Sequence, residues 1–282
     1  MSCFLYIFDV IPKNFLSYLV GAIVRLRLPQ PISNFLCRGF VAVFGIDMKE
    51  AELPLSSYKT IEDVFTRKLT PGQRVIESDL VSPADGILSR SEPAVNGTAI
   101  QAKGLTYRLD ELVYGELNDR TSLTWYSTIY LAPHNYHRVH SSVQGMLVGI
   151  RYFPGELWPV NKPFAKITPN LFVRNERLVF EIELSGGGKV HVAMVGALNV
   201  GRIKTPHLTD FATNDFSAKK KFQHFILEKP VAIKTGDELG TFMLGSTAVV
   251  VFDETAAGRY KILQSDQPLK VKMGQTLIQE HN

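Results

Sequence analysis

The sequence predicts an α+β protein, a mostly-β sandwich-like core preceded by short N-terminal amphipathic helices. Three observations carry this reading. The first 46 residues are apolar and basic, and the prolines of "LPQP" (28–31) divide two helix-length runs. From "TPGQRVI" (70–76) onward, Gly and Pro punctuate short runs rich in β-branched and aromatic residues. Turn signals recur between those runs: "PADG", "SGGGK", "KTGDELG" and "KMGQ".

Taken in order, Phe15–Arg27 and Ile32–Phe44 read as helices. Their region carries one acid, Asp9, against Lys13, Arg25, Arg27 and Arg38. Its longest charge-free central run, Asn14 to Val24, is too short to cross a bilayer as a helix. Asp9 interrupts the early apolar stretch and no small-residue cleavage site follows, which argues against a signal peptide. Basic, apolar, short helices suit the plane of a membrane surface, with packing on the core or at a dimer interface as the alternative. "SSYKTIEDVFTRKL" predicts one more helix ending at Leu69. Strands are then expected at Gly86–Leu88, Leu123–Leu131, Gly145–Phe153, Leu178–Leu184, Lys189–Leu198, Phe225–Lys229 and Ala248–Phe252. No fixed-period repeat is visible, but "KTGDELGTF" and "VKMGQTLIQ" look like two returns of one construction. With no low-complexity linker, the division is an N-terminal helical segment, 1–55, and a mostly-β unit, 56–282.

A chain of 282 residues, 45% hydrophobic and 21% charged, has ample material for a core. The net charge of +4 is mild, and no nucleic-acid partner is expected from it. Cys3 and Cys37 are the only cysteines, so no disulfide framework organises the fold, and a reducing compartment fits.

Three clusters could do chemistry. Asp85 sits in "VSPADGIL", where Asp-Gly after Pro otherwise makes an ordinary β-turn. His134, His137 and His140 lie in "YLAPHNYHRVHSS". No metal is expected there: Pro133 precedes the cluster, Cys and carboxylate partners are missing nearby, and strand residues three apart face opposite ways. Proton transfer is the more natural use of such a pair. The third cluster is Gly245-Ser246-Thr247, which interrupts the apolar run "GTFMLGSTAVVVF" (240–252); a kinked core strand is the plain alternative. Asp85, His140 and Ser246 together could form a hydroxyl-activating relay, since geometry rather than order defines a triad. One reading is therefore a membrane-associated serine hydrolase, although its usual Gly-x-Ser-x-Gly elbow is absent.

An ordered set of stretches makes a sharper reading. These are "FTRKLTPG" (65–72), "SPADG" (82–86), "YHRVH" (136–140), "FPGELWPVN" (153–161), "PNLFVRNER" (169–177), "VGALNVGRI" (195–203), "LGSTAVVVF" (244–252) and "VKMGQTLI" (271–278). Through most of its length the chain resembles the pyruvoyl-dependent, membrane-associated bacterial phosphatidylserine decarboxylases. "LGST" matches that family's self-processing motif and "YHRVH" its histidine segment. His134 occupies a position where the family has no required histidine.

The resemblance implies a catalytic 56–282 unit that cuts itself between Gly245 and Ser246. Ser246 Oγ attacks the Gly245 carbonyl, and β-elimination then leaves a dehydroalanine. Hydrolysis of that residue gives a pyruvoyl group and ammonia. The products are a β chain, 1–245, and an α chain, 246–282, held as a heterodimer open to further oligomerisation. His140 is the implied base for the serine, Asp85 its orienting charge, and Thr247 a hydrogen-bond donor near the scissile carbonyl. His137 is the implied proton donor in decarboxylation. The cofactor is the covalent pyruvoyl group derived from Ser246, with no metal and no pyridoxal phosphate; it provides the electron sink that such a decarboxylation needs. The implied substrate is phosphatidylserine, converted to phosphatidylethanolamine and CO2. Membrane surface lipids are the other partners, with the enzyme peripheral on the cytoplasmic face of the inner membrane. Lys219-Lys220-Lys221 could meet lipid phosphates, but such a run is more often a solvated loop.

Overall fold

The structure, a computed structural model, describes residues 12–102, 104–115, 122–198, 202–214, 221–243 and 246–279. Two helices come first, α1 (Lys13–Val24) and α2 (Gln30–Phe44), the latter with Pro31 in its opening turn, where a missing N–H costs nothing. Their amphipathicity is turned outward. The buried positions are Lys13 and Ser17 on α1 and Ser33 and Cys37 on α2, each pair four residues apart and so on one face. The large apolar side chains point away: Phe15 and Ile23 are 56% and 55% exposed, Phe35 and Val43 76% and 79%.

Helix α3 (Ile61–Phe65) begins at a capping box, in which Thr60 Oγ1 accepts from Asp63 N–H and the Asp63 carboxylate accepts from Thr60 N–H. The sequence predicts this helix to run to Leu69, and it does not. Residues 68–70 leave the helix to pair with 50–52, through Glu52 N–H to Lys68 O and Thr70 N–H to Glu50 O, each 2.9 Å. A small satellite core of Cys37, Ile46, Tyr58 and Val64 joins α2 to this region.

The remaining elements follow as β1 (Gly86–Pro93), β2 (Thr98–Ala102), β3 (Leu105–Arg108), α4 (Leu109–Val113), β4 (Leu123–Leu131), β5 (Arg138–His140) and β6 (Gly145–Phe153). Next come α5 (Lys162–Ala165), α6 (Leu171–Arg174), β7 (Arg177–Glu183), β8 (Lys189–Val195), β9 (Ile203–Lys204) and β10 (Gln223–Ile233). The chain ends with β11 (Glu238–Phe242), β12 (Ser246–Asp253), α7 (Glu254–Ala257) and β13 (Leu269–Val271). Eight strands form one antiparallel sheet in the order β10-β6-β7-β8-β12-β4-β1-β13; β5, β11 and β9 form a second, and β2 and β3 a hairpin. This is the expected α+β architecture, a mostly-β core with short helices. Every expected strand is present, and β4 and β6 have the expected bounds.

The large sheet reads the same from both edges. One half is β10-β6-β7-β8 and the other β13-β1-β4-β12, meeting at the β8–β12 pair. The two similar sequence returns are the turns Lys234–Asp237 and Lys272–Gln275, and their hydrogen bonds match one for one. Lys234 N–H donates to the Asp237 carboxylate and Lys272 N–H to the Gln275 amide oxygen. Gly236 N–H reaches Ser141 O and Gly274 N–H reaches Ser82 O; Ser141 N–H reaches Asp237 O and Ser82 N–H reaches Gln275 O. Gly236 and Gly274 hold φ of 89° and 88°, a region that admits glycine at no steric cost. Residues 81–86, "VSPADG", thus correspond to 140–145, "HSSVQG". The two segments cross through Val81 N–H to Ser142 O (3.0 Å) and His140 N–H to Pro83 O (2.8 Å). Asp85 stands where the other half has Gln144, and His140 where the first has Val81. Departures from the pseudo-symmetry therefore place both residues at one crossing.

Candidate active site

Ser246 opens β12, which lies between β8 and β4 and has all eight residues buried. Ser246 sits opposite Leu131, and Thr247 opposite Tyr130 and Val195. The apolar run around it is not one kinked strand, as the plain alternative has it. It is two strands in different sheets, β11 in the small one and β12 in the large one, with residues 243–245 between them. The link from β4 to β5 makes the reverse passage beside it: Leu131 faces Ser246 at one end, and at the other Phe242 N–H donates to His137 O at 3.0 Å. His137 is thereby tied to the segment that leads into the 245–246 peptide. Leu244 and Gly245 themselves lie outside the described residues.

Ser246 Oγ and Thr247 Oγ1 are buried, and among the described residues neither has a hydrogen-bond partner. Each such orphan costs about 1–3 kcal/mol, so two at adjacent residues call for a functional reason.

His137 is fully buried, its ring centroid 3.9 Å from that of Phe65. Its Nδ1 lies 2.8 Å from Asn135 O, and a carbonyl only accepts, so Nδ1 carries the proton. Nε2 is left as a bare lone pair with no partner among the described residues. Burial pushes this imidazole down to about 3, with Arg67 adding to the effect and the Asn135 carbonyl opposing it. His137 is therefore neutral near pH 7. In this state it accepts a proton at Nε2; the donor role expected from the sequence requires that it first take one up.

His140 is also buried, and burial lowers its basicity. Its Nδ1 donates to Gly236 O at 2.8 Å, and its Nε2 faces Tyr136 Oη at 3.1 Å. Asp85 spends its carboxylate elsewhere. Oδ1 accepts from Arg74 Nε (2.9 Å) and Met273 N–H (2.8 Å), and Oδ2 from Arg74 Nη2 (2.5 Å). The same Arg74 nitrogen reaches Glu50 at 2.7 Å, and that hydrogen bond is the main reason Glu50 drops to about 2. Among the described residues, then, no hydrogen bond joins Asp85 to His140 or His140 to Ser246. The expected Asp85–His140–Ser246 relay is therefore unassembled, and Asp85 acts on His140 only through its field, which favours the protonated imidazole.

A cleft of about 350 Å³ opens beside these groups, lined among others by Lys68, Arg74, Tyr136, Arg138, Glu238 and Met273. Of the other sequence-singled residues, His134 is exposed and contributes its carbonyl to Arg67 at 3.2 Å. Lys221 is exposed, while Lys219 and Lys220 lie outside the described residues. Sequence reasoning missed Arg67, Arg74, Tyr136 and Gly236 as site residues. Each lies in a quoted stretch ("FTRKL", "TPGQR", "YHRVH", "KTGD"), but nothing local to those stretches marks which group it bonds, from 4 residues away for Tyr136 and 11 for Arg74 to 67 for Arg67 and 96 for the Gly236 carbonyl.

A buried, unpartnered serine heading a central strand, with two buried, tautomer-fixed imidazoles carried by the segment that follows its strand partner Leu131, points to an enzyme centre rather than a binding surface. Residues 61–279 match the family model for phosphatidylserine decarboxylase. The chain is 38% identical over 256 residues to the phosphatidylserine decarboxylase proenzyme of Myxococcus xanthus, covering 89% of each. It is 34% identical over 272 residues to that of Helicobacter pylori strain 26695, 95% of this chain and 98% of that protein. To that of Psychrobacter arcticus it is 35% identical over 282 residues, 98% of each. The chain belongs to the phosphatidylserine decarboxylase family and is a decarboxylase. The serine-hydrolase alternative finds no support in these matches, and the unassembled relay gives it none.

Proposed function

We propose that the chain cuts itself at Gly245–Ser246, converts Ser246 into a pyruvoyl group, and then decarboxylates phosphatidylserine to phosphatidylethanolamine at a membrane surface. The observation that carries this reading is the buried, unpartnered Ser246 hydroxyl at the first position of a central strand. A serine kept buried and unpaired is suited to attack an internal target, the carbonyl of the peptide just before it. The relatives' proenzyme names agree with a precursor that is processed. His140 serves as base for the serine, and Asp85 biases it electrostatically while clamping the Lys272–Gln275 turn. Thr247 Oγ1 is the second unpartnered hydroxyl and lies next to the new terminus.

The residues present fit a pyruvoyl group at 246: its site is buried, and β12 anchors it through pairing on both sides. That group supplies a carbonyl that takes the substrate amine and accepts the electrons released with CO2. After scission the α chain stays in place because β12 is paired on both sides. Val249, Val250, Val251 and Phe252 are fully buried, each worth about 1.5–3 kcal/mol. The 56–282 unit is the catalytic part and 1–55 the membrane-associating part.

His140→Ala is expected to abolish scission, read as a single band on denaturing gels. Asp85→Ala removes both the field and the clamp, so Asp85→Asn, which retains an acceptor for Met273 N–H, separates them. Slowed scission in both Asp85 variants supports the field; wild-type scission in Asp85→Asn removes that role.

Among the described residues no helix is long and apolar enough to cross a membrane. Peripheral attachment through α1 and α2 is supported by their outward Phe15, Ile23, Phe35 and Val43, which a protein packed on its own core would bury. Replacing Ile23 and Phe35 together by Asp is expected to weaken sedimentation with anionic lipid vesicles at least about tenfold, from the apolar area withdrawn, with scission unchanged. Undiminished vesicle binding would refute the helices' role.

A further inference from the structure

We propose that Tyr136 holds His140 in reserve: its phenol occupies the basic nitrogen that self-processing needs, and release of that hydrogen bond precedes attack by Ser246. The proposal rests on the reading of His140 as the processing base and adds a positioning residue to it.

The tautomer decides who donates. Nδ1 of His140 gives its proton to Gly236 O at 2.8 Å, which leaves the only lone pair on Nε2. Tyr136 Oη lies 3.1 Å from that lone pair and is the donor. The rings also stack, 5.6 Å apart at 27°, so packing as well as hydrogen bonding sets the contact. Tyr136 is itself buried, and burial raises its phenol, so it remains a donor near neutral pH. Ser246 Oγ, meanwhile, has no partner among the described residues. The base is engaged with the wrong hydroxyl while the right one is idle. Tyr136 also lines the cleft of about 350 Å³, which gives the phenol room to swing out.

The steps then balance. The phenol leaves with its own proton. Ser246 Oγ bonds to the Gly245 carbonyl carbon and passes its proton to His140 Nε2. As the Gly245 C–N bond breaks, the imidazolium returns that proton to the departing nitrogen of residue 246, giving an ester and a free amine.

The test is Tyr136→Phe in the full chain, made by cell-free translation so that scission can be timed across the acid-to-neutral range. Two effects are expected. Freed from one neutral hydrogen bond, the plateau rate of scission rises by about fivefold. The half-maximal pH moves upward, because a donor to the lone pair favours the neutral imidazole and its removal raises the pKa. The other charges near His140, Asp85, Glu238 and Arg138, and Arg74 beside Tyr136, are unchanged in this variant. An unmoved rate and pH limb would overturn the proposal, as would a fallen plateau, which would mean that the proton travels through the phenol.

A second measurement does not depend on scission. In ¹⁵N-histidine-labelled Ser246→Ala precursor, Tyr136→Phe is expected to shift the His140 Nε2 resonance toward that of a free acceptor nitrogen; an unmoved resonance would overturn the contact itself. His140→Ala run in parallel keeps the two ideas apart. Normal scission there removes the base assignment, whereas blocked scission beside unaltered Tyr136→Phe kinetics removes only the role of the phenol.

Discussion

Ser246→Ala is expected to remain one uncut chain of 31.5 kDa and to show no decarboxylase turnover. Two separate losses combine in this variant. The nucleophile for the Gly245 carbonyl is gone, and no neighbour replaces it: the Thr247 hydroxyl, one residue on, is placed to attack the carbonyl of 246 instead. The residue that would become the cofactor is also gone. The fold should survive, because alanine fits a buried strand position and removes an unsatisfied hydroxyl, so the variant should be at least as stable as the uncut wild type. Gel mobility, a thermal melt and CO2 release from labelled phosphatidylserine check these points in one preparation. Two-chain product or measurable CO2 would show that the chemistry is centred elsewhere.

His137→Ala should divide the two activities. Scission is expected to proceed, since His140 and Ser246 are intact, while turnover falls by about 10²–10⁴, the usual worth of a positioned proton-transfer group. The same residue makes a pH prediction. In the fold its imidazole lies near 3, against about 6.5 in the unfolded chain, so the unfolded state binds more protons below that value. Stability from keeping His137 neutral is complete above pH 6.5 and is lost as pH falls toward 3, by about 1 kcal/mol per unit. Urea titrations of the uncut Ser246→Ala chain should show this acid slope, and adding His137→Ala should flatten it. Full turnover in His137→Ala would remove the residue from the mechanism, and an unchanged slope would mean that its imidazole is not held neutral.

How much of this was legible in the sequence follows the range of the interactions. Strands β4 and β6 show their bounds because runs of β-branched and aromatic residues end at turn residues. The helix expected to reach Leu69 stops at Phe65 because residues 68–70 have a better partner, 50–52, which no local pattern announces. The short strands β5, β9 and β13 exist through pairing alone. The likeness of "KTGDELGTF" to "VKMGQTLIQ" proved to be a structural correspondence down to single hydrogen bonds.

The site divides in the same way. Asp85, His137, His140 and Ser246 were visible because their stretches are chemically loaded, and the resemblance supplied their roles. Their partners were not visible. Arg74 reaches Asp85 from 11 residues away, Gly236 reaches His140 from 96, and Met273 reaches Asp85 from 188. Without those partners the sequence suggests a simple relay. With them, Asp85 and His140 are each bound to something else while the Ser246 hydroxyl stays unpartnered, so the relay needs a release step.

Everything depends on whether the bond before Ser246 is broken by the protein itself. The direct measurement is the intact mass of freshly purified wild-type chain, before and after treatment with hydroxylamine. The account predicts two polypeptides, one ending at residue 245 and one starting at 246 with a blocked, keto-bearing terminus that gains the oxime mass. A single unmodified chain that retains Ser246 and ignores the reagent would contradict it.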